Sequence, residues 1–117
     1  MSPLQLEQQI ALARNAAQAA TLSITETTEA GTVYTLNEID ALVDVARRAS
    51  LALQMDGARF TNALVSLGCT PAELSWKRGV DALALGATKN GTLTAEAVIV
   101  FRKDLAEQVA HRRKRAG

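Results

Sequence analysis

Hydrophobic positions recur at two different spacings along this chain, and the change of spacing divides it. Leu6, Ile10, Ala13, Ala17 and Ala20 repeat every three or four residues, the period of one helical face. Ser2-Pro3-Leu4-Gln5 supplies a start signal: serine at the N-cap, proline at the first helical position, and a glutamine that reaches back. The pattern predicts a helix from Pro3 to Ala20. At Thr21 the spacing becomes alternating. Thr21 to Thr27 is rich in β-branched residues that suit a pleated strand. Thr28 to Gly31 reads as a turn, with Gly31 free to take positive φ, and Thr32 to Leu36 as the returning strand of a hairpin.

Helical spacing then resumes. Asn37 is the expected N-cap, with Asp40 three residues on, and Ile39, Leu42, Val43, Ala46, Ala49 and Leu53 line one face. Asp56-Gly57 breaks or bends that helix. Phe60, Ala63, Leu64 and Leu67 form a short stripe ended by Gly68. Thr70-Pro71-Ala72-Glu73 is the sharpest start signal in the chain, and Leu74, Trp76, Val80 and Leu83 carry its helix inward as far as Leu85. Gly86 and Asn90-Gly91 punctuate a loop. In the last segment Val98-Ile99-Val100-Phe101 also suits a strand, but Phe101, Leu105 and Val109 continue helically, and helix is the favoured reading for residues 95–101.

These elements predict a mainly α fold with one β-hairpin (α+β). A helix–hairpin–helix module at 3–54 is followed by an added helical layer at 55–110, in one compact domain spanning 1–110, with a basic flexible tail at 111–117. The chain's 117 residues suffice for one self-supporting core. Aromatics are only 3% and much of the apolar content is alanine, which favours close-packed helices and a homo-oligomer whose neighbours complete the core.

Charge is concentrated at the end. From Ile99 onward the chain carries +4, so the remainder, against a total of +1, carries −3. Arg112-Arg113-Lys114-Arg115 repel one another and invite an anionic partner: a phosphate backbone, an acidic protein groove or an anionic membrane surface. A frayed, solubilising terminus is the plainer alternative. No apolar run is long enough to span a bilayer, the N-terminus lacks a signal peptide's pattern, and a lone cysteine fits a reducing compartment. The expectation is a cytoplasmic or virion-associated protein with no membrane contact.

Candidate chemistry is sparse. The only histidine, His111, sits in the cationic tail, unsuited to a general base. Cys69 precedes a helix N-terminus, where thiolates are stabilised, but reads first as a small buried hydrophobe. Carboxylates are scattered, and no phosphate-binding glycine loop is present. No catalytic, cofactor-binding or metal-ligating residue is therefore assigned, no cofactor is expected, and the chain is read as not an enzyme. Residues 60–83 suggest a helix-turn-helix in which Lys77 and Arg78 reach DNA, although an ordinary αα-corner is the commoner outcome.

Leu6 to Arg14, the threonine-rich hairpin, and Gly31-Thr32-Val33-Tyr34-Thr35-Leu36-Asn37-Glu38-Ile39-Asp40-Ala41-Leu42 together resemble the small head-completion (head-tail joining) proteins of tailed bacteriophages, the gpW-like family. The likeness covers residues 3–50 and rests on pattern. It implies a non-enzymatic assembly adaptor that docks on a portal ring, with Arg112, Arg113, Lys114 and Arg115 meeting the portal, neck proteins or packaged DNA non-specifically. Two alternatives come from other classes: a small DNA-binding regulator using Lys77, Arg78 and the tail, and a small inhibitor or chaperone of another protein.

Overall fold

The computed structural model describes residues 1–13 and 19–117. Helix α1 (Pro3–Ala13) leads to strand β1 (Thr21–Thr25), helix α2 (Leu36–Arg48), strand β2 (Ala52–Asp56), helices α3 (Phe60–Leu67) and α4 (Pro71–Leu74), a 3-10 turn at Trp76–Arg78, strands β3 (Ala82–Gly86) and β4 (Glu96–Val100), and helix α5 (Lys103–Ala116). The strands form one four-stranded sheet in the order β1-β2-β3-β4. β1, β2 and β3 run parallel, with Thr21 opposite Ala52 and Gln54 opposite Ala82, while β4 is antiparallel to β3. The expected mainly α fold with one hairpin is thus replaced by a mixed sheet with crossover helices.

One face of the sheet is covered. Leu22, Ile24, Leu53, Met55 and Leu83 project into a core completed by Leu6, Ile39, Leu42, Val45, Phe60, Ala63 and Leu74. Alternation explains which face is buried, since Ser23, Gln54 and Ala82 on the other face remain more accessible.

The departures from expectation share one physical origin. β1 is a strand, but its partner is β2 rather than Thr32 to Leu36. A parallel partner arrives only after a crossover, and local pattern does not announce it. The Thr28–Gly31 turn does form, with Gly31 at φ 77°, but it delivers the chain into α2. Thr35, not Asn37, caps that helix, because Glu38 closes a reciprocal capping box with it. α2 ends at Arg48 rather than continuing to Leu53. Ser50 takes φ 58°, and from Leu51 into β2 the buried Leu51, Leu53 and Met55 alternate with more accessible residues.

The expected helix from Thr70 to Leu85 stops after one turn. Its capping box and N1 proline are present, yet Ser75 leaves helical geometry at φ −120°, ψ −105°, and Leu83 lies in β3. A helix of four residues cannot be the recognition element of a helix-turn-helix. Trp76, expected inside, is 53% exposed. Residues 96–100 form β4 and not a helix, in line with their β-branched Val98-Ile99-Val100 run. The start of α1 is as expected: Gln5 Oε1 accepts from the Ser2 amide at 2.7 Å and Ser2 Oγ from the Gln5 amide at 3.2 Å. The part of that helix expected at residues 14–18 lies outside the described residues.

Candidate functional site

Ligands of open parallel sheets bind beyond the carboxyl ends of the strands, where the loops turn back. Here β2 ends in Asp56 and β3 runs on to the turn carrying Lys89. Asp56 Oδ1 accepts from the Ala58 amide at 2.9 Å, which tightens the turn leading to Arg59 at the N-cap of α3. The Gly57 amide donates to the Ala84 carbonyl at 2.7 Å, so this turn lies directly against β3. A Cβ on Gly57 would fall 2.9 Å from that same carbonyl oxygen and 2.7 Å from Leu83 Cδ1. Only glycine allows so close an approach.

Asn90 ties the two turns together. Its Oδ1 accepts from the Thr61 amide at 2.9 Å and from Thr61 Oγ1 at 2.7 Å. Its Nδ2 donates to the carbonyls of Gly57 at 3.1 Å and Ala58 at 3.3 Å, and to that of Gly86. One edge of the sheet therefore carries an amine, a carboxylate and a guanidinium on two cross-linked turns. Neither Lys89 nor Arg59 is held in an ion pair among the described residues. Such a set can hold a carbonyl carbon through the amine, a protonated nitrogen on the carboxylate, and a carboxylate on the guanidinium.

β1 ends beside this edge. The Glu26 amide donates to the Asp56 carbonyl at 2.9 Å, while the Glu26 side chain turns inward and is fully buried. Its Oε2 accepts weakly from the Tyr34 amide at 3.3 Å, and Oε1 has no partner among the described residues. Burial pushes its pKa up to about 7, the Tyr34 amide opposes the shift, and Glu38 adds to it.

The residues expected to make contacts lie elsewhere. Arg112, Arg113, Lys114 and Arg115 follow one another along the exposed end of α5. Lys77 Nζ stands 5.8 Å from the centre of the Trp76 ring. Arg78 is paired with Asp40 and donates to the Leu36 carbonyl at 3.4 Å, which pins the 3-10 turn to α2. Burial and the nearby Glu73 push the Cys69 thiol up, away from the thiolate. Asp56, Arg59 and Lys89 went unremarked in the sequence because Asp56-Gly57 looks like a helix bend and Asn90-Gly91 like loop punctuation. The available signal was two short alternating runs, 51–56 and 82–86, each followed closely by charged residues.

The whole chain, residues 1–117, matches the sequence model of the beta-eliminating lyases. It is similar to the low specificity L-threonine aldolase of Pseudomonas aeruginosa, 51% identical over 96 residues, covering 82% of this chain and 28% of the relative. The enzyme of the same name from Pseudomonas sp. strain NCIMB 10558 is 49% identical over the same share of each. Among solved structures, the threonine aldolase of Leishmania major superposes with a TM-score of 0.79 at 27% identity, over 96% of this chain and 34% of that one. The chain thus spans about a third or less of the relatives it matches.

These findings overturn the resemblance to phage head-completion proteins and the non-enzymatic adaptor drawn from it. They equally overturn the DNA-binding regulator, the inhibitor or chaperone, and the portal, neck or DNA partners. The resemblance failed because its helix–hairpin–helix pattern rested on a hairpin that does not form. The parallel strands, the glycine-closed turn and the matched relatives lead to one conclusion: the chain belongs to the beta-eliminating lyase family, a family of enzymes.

Proposed function

We propose that this chain forms the part of a pyridoxal 5′-phosphate-dependent L-threonine aldolase that holds the reactive end of the cofactor. The observation that carries the reading is the hydrogen-bonded pair of turns bearing Asp56 and Arg59 on one side and Lys89 on the other. The donor set fits the group. Enzymes that use this cofactor hold its aldehyde on a lysine and its ring nitrogen on an acidic partner. Lys77 precedes β3, and Lys103 and Lys114 lie on α5, so of the described lysines only Lys89 follows the carboxyl end of a parallel strand.

In this assignment Lys89 Nζ would hold the cofactor by its aldehyde carbon, and Asp56 would keep a proton on its ring nitrogen. Arg59 binds the α-carboxylate of the amino acid, for which its planar fork is suited. Aldol cleavage breaks the Cα–Cβ bond of L-threonine. The hydroxyl loses its proton as the Cβ carbonyl forms, and Cα gains a proton to give glycine and acetaldehyde. When bound, the cofactor supplies the electron sink for the pair left on Cα. Holding the carboxylate on Arg59 orients the substrate for that cleavage.

The test is borohydride reduction of the protein with pyridoxal 5′-phosphate, followed by peptide mapping. Label concentrated on Lys89 supports the reading; label spread evenly over Lys77, Lys89, Lys103 and Lys114 overturns it.

A further inference from the structure

We propose that Asn90 is a positioning residue, whose side-chain amide sets the place of Lys89 relative to Asp56 and Arg59; this rests on the reading of Lys89 as the cofactor-bearing lysine. Asn90 is the residue after Lys89, so a displacement of its backbone moves Lys89 with it. Gly57 and Ala58, whose carbonyls it binds, are the two residues between Asp56 and Arg59.

The amide is used to capacity. Both acceptor sites of Oδ1 are taken by Thr61, one through its backbone amide and one through its hydroxyl. Nδ2, with two hydrogens, faces three carbonyls, those of Gly57, Ala58 and Gly86. The network also settles which way the amide points. The Thr61 N–H can only donate, and the three carbonyls can only accept. Three chain segments converge on this one side chain: the end of β3, the turn after β2, and the first turn of α3.

An all-donor or all-acceptor side chain cannot replace it. Aspartate keeps the two bonds from Thr61 but sets a carboxylate oxygen against three carbonyls. Alanine removes every bond and unties the turns. A misplacement of about 1 Å between reacting groups can cost roughly a hundredfold in rate, so a tie of this kind bears on chemistry as well as on folding.

The experiment compares the protein with Asn90→Ala and Asn90→Asp variants. Each is reduced with borohydride in the presence of pyridoxal 5′-phosphate, and the label on Lys89 is measured relative to Lys77, Lys103 and Lys114. Thermal melts run alongside. We expect the unaltered protein to favour Lys89 and the alanine variant to lose about tenfold of that preference, equivalent to about 1.4 kcal/mol. The aspartate variant, which preserves shape and the Thr61 bonds, also loses preference and decides the matter if the alanine variant does not fold. A lower melting temperature with an unchanged distribution of label would make Asn90 merely structural and overturn the proposal alone. No preference for Lys89 in the unaltered protein would overturn the cofactor reading and this proposal together.

Discussion

Arg47 on α2 grips Asp81 at the entrance to β3 with both guanidinium nitrogens, Nη1 to Oδ2 at 3.0 Å and Nη2 to Oδ1 at 3.1 Å. Asp81 Oδ2 also accepts from the buried Leu53 amide at 2.7 Å. A single carboxylate therefore joins α2, β2 and β3. Arg47 is 43% exposed while the Asp81 side chain is 5% exposed, so solvent screens the cation and the anion depends on its partners. Asp81→Ala leaves the Leu53 amide without an acceptor, and should cost about 2–4 kcal/mol. Urea unfolding of the variant checks this; a loss below that of an ordinary surface substitution would refute it.

Lys89→Ala should abolish pyridoxyl labelling at the site, whereas Lys77→Ala should leave it intact. Asp56→Ala should weaken binding of the cofactor by about 2–3 kcal/mol, since a hydrogen bond to a charged group is lost. Titration by absorbance reads the second effect. Equal affinities for the variant and the unaltered protein would remove Asp56 from the site.

Glu26 predicts a pH dependence. Its carboxyl titrates at about 7 when folded against an ordinary value of 4.5, so the folded state retains a proton that the unfolded chain gives up. The favourable contribution is complete below pH 4.5 and is lost as pH rises through 7. Glu38 helps to hold this carboxyl up, and Tyr34 and Cys69 sense it in turn. Glu26→Gln should remove a decline on the order of 3 kcal/mol between those limits, measured by denaturant unfolding across a pH series. Parallel curves for the two proteins would show that Glu26 does not titrate there.

Gly57→Ala tests the close approach of β2 and β3. The added methyl can displace the end of Leu83, but not the Ala84 carbonyl at 2.9 Å. The turn must shift, at about 1–3 kcal/mol. Because the turn carries Asp56 and Arg59, cofactor affinity should fall with it; undiminished stability and affinity would show that the edge has room.

Trp76→Ala should cost about 1 kcal/mol rather than the 3–5 kcal/mol typical of a core aromatic, because over half of the side chain is exposed. Thermal unfolding distinguishes the two values.

Signals that depend on three or four neighbouring residues were legible. Ser2 with Gln5, Thr70 with Glu73, and Gly68 at φ 61° all act where their pattern places them. Thr35 shows the limit of such reading. Thr35 and Asn37 are both good caps, and the choice went to Thr35 because Glu38 reaches back to it, while Asp40 is drawn to Arg78 on another element. Leu53 shows a second limit. It fits a helical stripe after Ala49, yet equally fits the alternation Leu51, Leu53, Met55, and burial against Leu22 and Ile24 favours the strand.

Local sequence marked the starts of α1 and α4, the glycines that turn the chain, and the residues apolar enough for a core, since these depend on bonds and sterics within a few residues. The tertiary fold settled that β1 pairs with β2, that residues 82–86 and 96–100 take their strand rather than their helical reading, and that the turn of Lys89 is tied to that of Asp56 through Asn90. Parallel pairing joins segments separated by a crossover helix, and its hydrogen bonds leave no trace in local spacing. The candidate site is therefore a product of the sheet, because only its common edge brings those separate charges to one place.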